Sequence, residues 1–277
     1  MSTVSTTVSK TASLGSNPSA PAIILLQQGG LYMNIVIPFR NTCGTQELKM
    51  CVKLIEKNMK DIVSYIYIIG DEIDFIGDKV RSVVVEEQKY NKWLDSGFLI
   101  ECYIKMVSSD EFILFNDDFF ITEEIGIGRL LYYKFSTLKE RILTTYVIEP
   151  RTNKLRLSAY GLNIRKYIDL FGDADNYEVH IPMPILHPHL MLKAIAETKK
   201  YDCPALKRTY YMRLLEQEGL VRECEKAALP HDVKFGEPLR VMSYPFFSLT
   251  DTEYKAFEYD LEKILEHKNP SIDFYKK

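Results

Sequence analysis

Between Asn34 and Phe115 the chain alternates two kinds of apolar pattern, and that alternation limits the folds open to it. Asn34-Ile35-Val36-Ile37-Pro38 is a short apolar run closed by proline, while Thr45 to Met59 places Leu48, Cys51, Val52, Ile55 and Met59 on one stripe at helical spacing. Glu47 near the start of that helix and Lys57 and Lys60 near its end suit the helix dipole. Val63 to Ile69 is strand-like again and ends in Gly70-Asp71. Val80 to Val85, with its run of valines, reads as a strand buried on both faces. Trp93 to Val107 returns to helical spacing through Leu94, Phe98, Ile100, Cys102 and Ile104, and Phe112 to Phe115 closes the series as a strand. The order βαββαβ predicts an α/β layered domain of Rossmann type with a mostly parallel central sheet.

Ligands of such sheets bind beyond the carboxyl ends of the strands. Three strand exits are therefore expected on one rim: Pro38-Phe39-Arg40-Asn41, Gly70-Asp71 and Asn116-Asp117-Asp118. Arg40 is suited to a phosphate or a base edge, and Asp71 to a ribose or base donor. Each has a plainer role open to it, Arg40 as the partner of a surface carboxylate and Asp71 as a strand terminator.

The acidic pair is the sharpest motif. Asn-Asp-Asp is ordinary turn chemistry, because these side chains hydrogen-bond their own backbone. Here, however, Phe112-Ile113-Leu114-Phe115 precedes it and Phe119-Phe120-Ile121 follows. A turn so flanked is embedded in a core, where two adjacent carboxylates repel unless a cation or donors neutralise them. Paired acids at a strand exit are a natural holder of a divalent cation against a diphosphate.

Composition narrows the partners. A chain of 277 residues with a formal charge of −3 lacks the broad basic surface of a nucleic-acid binder. Five cysteines without a C-x-x-C pair fit reduced thiols in a cytoplasmic protein, with Cys51 and Cys102 packed as small hydrophobes. No run reaches the length of a membrane span, since Ala22 to Leu26 is cut off by Gln27, Gln28, Gly29 and Gly30. Residues 1–32 read as a Ser/Thr-rich disordered tail, and 33–277 as the folded part.

Several of these segments together resemble a known family. Gln46-Glu47-Leu48 through Ile55-Glu56-Lys57-Asn58, followed by Ile66-Tyr67-Ile68-Ile69, is similar to the second block of the Stealth proteins, with its E-L…I-E-K-N helix and I-Y-I-V strand. Phe112 to Phe119 resembles the F-N-D-D-x-F ending of the same block. His180-Ile181-Pro182 is similar to the H-x-P block, and Phe246-Phe247-Ser248-Leu249-Thr250-Asp251 to a late F-F-x-x-N-D block, with Thr250 in place of Asn. The family's first block, roughly V-Y-T-W-V-D-G-x-D, is matched only by Ile35 to Asn41, which looks more like the nucleotide-binding strand of an ordinary GT-A glycosyltransferase.

The resemblance implies a GT-A-like core and a transferase that moves a sugar or a sugar-1-phosphate from a nucleotide sugar, most naturally a UDP-sugar, to a carbohydrate acceptor. It implies Mg2+ or Mn2+ at Asp117, Asp118 and Asp251, with Asp118 also catalytic and His180 as the base for the acceptor hydroxyl. Pro38, Arg40, Asn41, Asp71, Asn116 and Arg208 are the candidates around the nucleotide sugar. A different class stays open: a non-catalytic glycan- or protein-binding module on a degenerate glycosyltransferase fold.

The rest of the chain is expected to be largely helical from about residue 186 to 277. His187 and His189 are candidate caps of a helix starting near Leu190. Ala205 to Gln217 carries Lys207, Arg208 and Arg213, which on an exposed helix are usually solvated. Leu239 to Leu249 reads as a strand, and Thr252 to His267 as an amphipathic helix with Tyr254, Phe257, Leu261, Ile264 and Leu265 inward. Thr250 with Glu253 makes a capping box, which is a structural role for the neighbourhood of Asp251. Tyr210, Tyr211, Tyr244 and Trp93 are candidate stacking faces for a sugar. Tyr132 to Arg156 reads as an irregular connection able to close over the donor.

Overall fold

The computed structural model describes residues 32–42, 44–75, 77–86, 91–126, 128, 130–221, 226–228, 246–248 and 251–266. The predicted series is present: β1 (Met33–Phe39), α1 (Gln46–Asn58), β2 (Val63–Gly70), β3 (Val80–Val84), α2 (Lys92–Met106) and β4 (Phe112–Leu114). With β9 (Met183–Ile185) they form one sheet in the order β3-β2-β1-β4-β9, parallel throughout except for β9 against β4. The fold is thus mixed α/β with a mostly parallel, Rossmann-like sheet.

The centre of this sheet is apolar on both faces, as parallel strands between helical layers must be. Ile35, Val36 and Ile37 are all fully buried. Alternate side chains of β1 serve opposite cores: Ile35, Ile37 and Phe39 meet α1, and Val36 meets α2. Each such side chain contributes about 1.5–3 kcal/mol on burial. β3 departs from expectation. It is the edge strand, only its first residue Val80 is buried, and Val84 is 63% exposed, because β2 alone pairs with it in the sheet. The valine run therefore reports strand propensity here, and two-sided burial does not follow from it.

Residues 132–157 form regular structure where an irregular connection was expected: β6 (Tyr132–Lys134), α3 (Leu138–Leu143), and a hairpin of β7 (Tyr146–Ile148) with β8 (Leu155–Leu157). Thr137 starts α3 with a full capping box, its hydroxyl accepting from the Glu140 amide while the Glu140 carboxylate accepts from the Thr137 amide. α4 (Ala159–Phe171) follows, capped by Ser158.

The C-terminal part is mixed rather than purely helical. α5 (Pro188–Lys200), a 3-10 turn at Pro204–Leu206 and α6 (Lys207–Gln217) pack on the α2 face, and α7 (Asp251–Glu266) packs on α1. Between them, β10 (Lys226–Ala228) joins β6 in parallel, and β11 (Phe246–Ser248) pairs antiparallel with β5 (Phe119–Ile121). Of the predicted inner stripe on α7, Tyr254 and Leu261 are buried and Leu265 packs against the same core. The side chains of Phe257 and Ile264, the remainder of the predicted 239–249 strand, Thr250, Tyr244, Cys43, Cys224 and the 1–31 tail lie outside the described residues. No helix among those described is long and apolar enough to cross a membrane.

Candidate functional site

Parallel pairing sends the ends of β1, β2 and β4 to one edge of the sheet, and two clusters of the predicted residues form there. At the first, Arg40 Nη1 lies 2.8 Å from Asp71 Oδ1, and the Asn41 amide donates to Asp71 Oδ2 at 2.8 Å. Asp71 does more than end its strand, since it holds the chain after β1 by both oxygens. Gly70 makes this approach feasible. Its φ is +139°, and a Cβ there would stand 2.0 Å from the Phe39 carbonyl oxygen. Pro38 pairs with Ile69 within the sheet, one residue short of the rim.

The second cluster surrounds the acidic pair. Phe115 and Phe119 are buried on either side of the turn, as their aromatic character predicts, and Asn116, Asp117 and Asp118 are half-buried between them. Asn58, at the end of α1, fixes the far side of this turn. Its amide donates to the Ile121 carbonyl at 2.6 Å, and its own carbonyl accepts from Ile125. The Asn116 carbonyl approaches Cys51 Sγ at 3.8 Å. Burial, with Asp117 and Asp118 close by, pushes the Cys51 thiol well above its usual range, so it stays protonated.

Asp118 is the meeting point. Its Oδ2 accepts from the Ser248 hydroxyl at 2.7 Å and lies 3.6 Å from His180 Nδ1, which is itself 3.3 Å from Ser248 Oγ. Its Oδ1 is buried and meets no hydrogen-bond donor among the described residues. β11 brings Ser248 here by pairing with β5, which begins directly after the acidic pair. Phe246 and Ser248 are both buried on one side of that strand. A small polar residue two places from a buried aromatic was the only local hint of its role. Among the described residues no group of three or more His, Cys, Asp or Glu side chains forms a metal cage. The side chain of Asp251, the third predicted ligand, lies outside the described residues.

Arg208 is within the site, but not as a solvated helix charge. It is 5% exposed, and its guanidinium donates to the carbonyls of Val179 and Ile181 at 2.8 and 3.1 Å and to Asn116 Oδ1 at 3.3 Å. These bonds tie the segment leading to His180 to the turn carrying Asp118. Behind it, Glu178 accepts from the Thr209 amide at 2.9 Å and so caps α6 from a distant part of the chain. Burial holds Glu178 above the usual carboxylate range although Lys207 and Arg208 pull it down, and burial pushes Lys207 down to about 8. Neither Glu178 nor the buried Lys207 carries a sequence signal, because their proximity depends on the tertiary fold.

Other candidates fall elsewhere. His187 occupies the N-cap position of α5 without a side-chain cap bond, and His189 lies inside the first turn, so neither caps the helix. Tyr210 and Tyr211 are buried in the core, where the Tyr211 hydroxyl accepts from the His187 amide. Trp93 lines a cleft with Phe98, Ile195 and Lys207, which none of the rim residues lines. No family model matches this chain, and no curated protein does either.

Proposed function

We propose that this protein is a divalent-cation-dependent transferase with a GT-A-like core, taking a UDP-sugar as donor and a carbohydrate hydroxyl as acceptor. The observation that carries the reading is Asp118 Oδ1, a buried carboxylate oxygen without a donor among the described residues, beside a second carboxylate at the carboxyl edge of a mostly parallel sheet. Such an oxygen is costly unless a cation or a ligand donor meets it. Asp117 and Asp118 therefore fit Mg2+ or Mn2+, which when bound supplies positive charge against the donor's diphosphate.

The chain's own groups divide the remaining work. The Ser248 hydroxyl donates to Asp118, which leaves its oxygen to accept from a protonated His180 Nδ1. That order places the basic lone pair on Nε2, where it takes the proton of the acceptor hydroxyl. The acceptor oxygen then attacks either the anomeric carbon, with UDP leaving, or the phosphorus next to the sugar, with UMP leaving. Arg40 and Asn41, held by Asp71, border the same edge and are available to the nucleotide.

Incubation with UDP-sugars and Mn2+ tests this. Turnover is expected, with a drop on the order of a thousandfold in Asp117→Ala plus Asp118→Ala. Release of UDP identifies sugar transfer. Release of UMP, with donor phosphate retained in the product, identifies sugar-1-phosphate transfer. Absence of turnover together with no calorimetric Mn2+ binding in the presence of UDP would remove the reading in favour of a glycan- or protein-binding module.

A further inference from the structure

The cleft between α2 and α5 has apolar walls and one buried base. Trp93, Leu94 and Phe98 of α2 line it with Ile195 of α5, and so do Pro204 of the 3-10 turn and Lys207 at the start of α6. Lys207 is 7% exposed, yet its ammonium forms no hydrogen bond and no ion pair with the described residues. Glu178 attracts it without closing to an ion pair, and Arg208 repels it. Together Lys207 and Arg208 set two formal positive charges against the one negative charge of Glu178. Arg208 directs its donors to Val179, Ile181 and Asn116, which leaves Lys207 as the base without an acceptor.

A lysine so enclosed is costly while charged. Burial lowers its pKa to about 8, which still leaves it mostly protonated at neutral pH. The rest of the lining does not neutralise it. Glu101, the one acid among the lining residues, pairs with Lys105 at 2.5 Å, where both are open to solvent. The remaining charge of the lining, Lys199, is a second base.

We propose that this cleft binds a small carboxylate with an apolar body, its carboxylate on Lys207 and its ring or chain against Trp93, Phe98 and Ile195. Mostly apolar walls with a few placed polar groups are the usual form of a small-molecule site. The space, about 390 Å³ with its open mouth included, suits one aromatic ring on a short chain. A phosphate is a poorer occupant, since it calls for several donors and Lys207 is the one buried base of the lining. The inference is independent of the transferase reading, because no rim residue lines the cleft.

Trp93 is the chain's one tryptophan, so its fluorescence reports on this cleft. Titration of the full chain with 3-phenylpropionate at pH 7 should give a saturable change, matched by calorimetry. The neutral 3-phenylpropanamide, of the same shape, should bind about tenfold to a hundredfold more weakly, the worth of one charged hydrogen bond. Lys207→Met should lower affinity for the carboxylate by the same factor and leave the amide almost unaffected. In the wild type, affinity for the carboxylate should fall about tenfold per pH unit above pH 8, as the free ammonium loses its proton, while that for the amide stays level. Glu178 and Arg208 on the buried side, Glu101 on α2 and Lys199 on α5 also border Lys207, and the same profile in Lys207→Met separates their titration from its own. Burial holds the Cys203 thiol, before the 3-10 turn, higher, at about 11, and raises the hydroxyl of Tyr160, whose ring packs on Trp93, further still. The amide comparison and the pH profile use the wild type, so they keep the test valid if Lys207→Met fails to fold. No saturable binding by either method, equal affinity for carboxylate and amide, or undiminished affinity in folded Lys207→Met overturns the proposal.

Discussion

Arg208 stands between two groups of charges that the fold treats in opposite ways. Behind it, Glu178 and Lys207 form an inner cluster in which Lys207 and Arg208 are 7 and 5% exposed and the carboxylate accepts from a helix amide. In front of it, Asp118 is 25% exposed at its side chain, and among the described residues only one of its oxygens has a donor. The inner acid is matched by two bases and a cap, so its role is complete within the chain. Asp118, by contrast, has more acceptor oxygens than donors among the described residues. A carboxylate deficit of donors at a sheet edge is what a cation site requires, whereas a compensated cluster beneath it holds the edge in place.

The substitution that breaks both sides at once has the largest expected effect. Arg208→Met strands the Val179 and Ile181 carbonyls and Asn116 Oδ1, and leaves Glu178 with Lys207 alone. Loss of one member of a buried charge network costs about 3–5 kcal/mol, which a shift in urea midpoint would register. Arg208→Lys should recover little, because one ammonium on a flexible stem cannot reach three acceptors set for a planar fork.

Lys207 tests the inner group alone through pH. Burial lowers its folded pKa to about 8 from the ordinary 10.5. Between those values the unfolded chain binds the extra proton, so the wild type gains stability with rising pH relative to Lys207→Met. The gain is about 1.4 kcal/mol per pH unit at most and roughly 3 kcal/mol over the window. Buried Cys51, Cys102 and Cys203, whose thiols burial raises, oppose this above pH 9 in both proteins. The difference between the two melting curves across pH 8–10.5 is therefore the quantity to measure. A flat difference would mean that Lys207 reaches water, and that the inner cluster is not sealed.

The same contrast explains what could be read from the residues in order. Periodicity is local, and it located β1, α1, β2, α2 and β4, with the stripe Leu48, Cys51, Val52 and Ile55 buried as its spacing requires. Strand direction then followed from the short βα alternation, which is why Arg40 and Asp71 were placed on one edge and are found paired. The inner cluster depends on residues about 30 positions apart meeting at a helix start, and no spacing rule reaches that far. β3 was misjudged for a related reason, since a valine run is the same at the centre and the edge of a sheet. The hairpin at 146–157 was hidden because its strands of three residues bury almost nothing, so the inward–outward alternation that marks a strand is missing.

Ser248 provides the smallest and most selective perturbation of the outer group. Its hydroxyl is the donor to Asp118 Oδ2 and the neighbour of His180 Nδ1, and Ser248→Ala removes both contacts without adding bulk. Because Asp118 is partly open to solvent, water replaces much of the lost bond, and the cost in stability should be about 1 kcal/mol. Turnover should fall further, about tenfold, since the histidine loses the acceptor that sets its tautomer. Ser248→Thr keeps the hydroxyl and should restore most of the activity. If turnover of the folded variant is instead unchanged, Ser248 serves only to pack β11 against β5. The open edge around Asp118 would then be as structural as the cluster behind it.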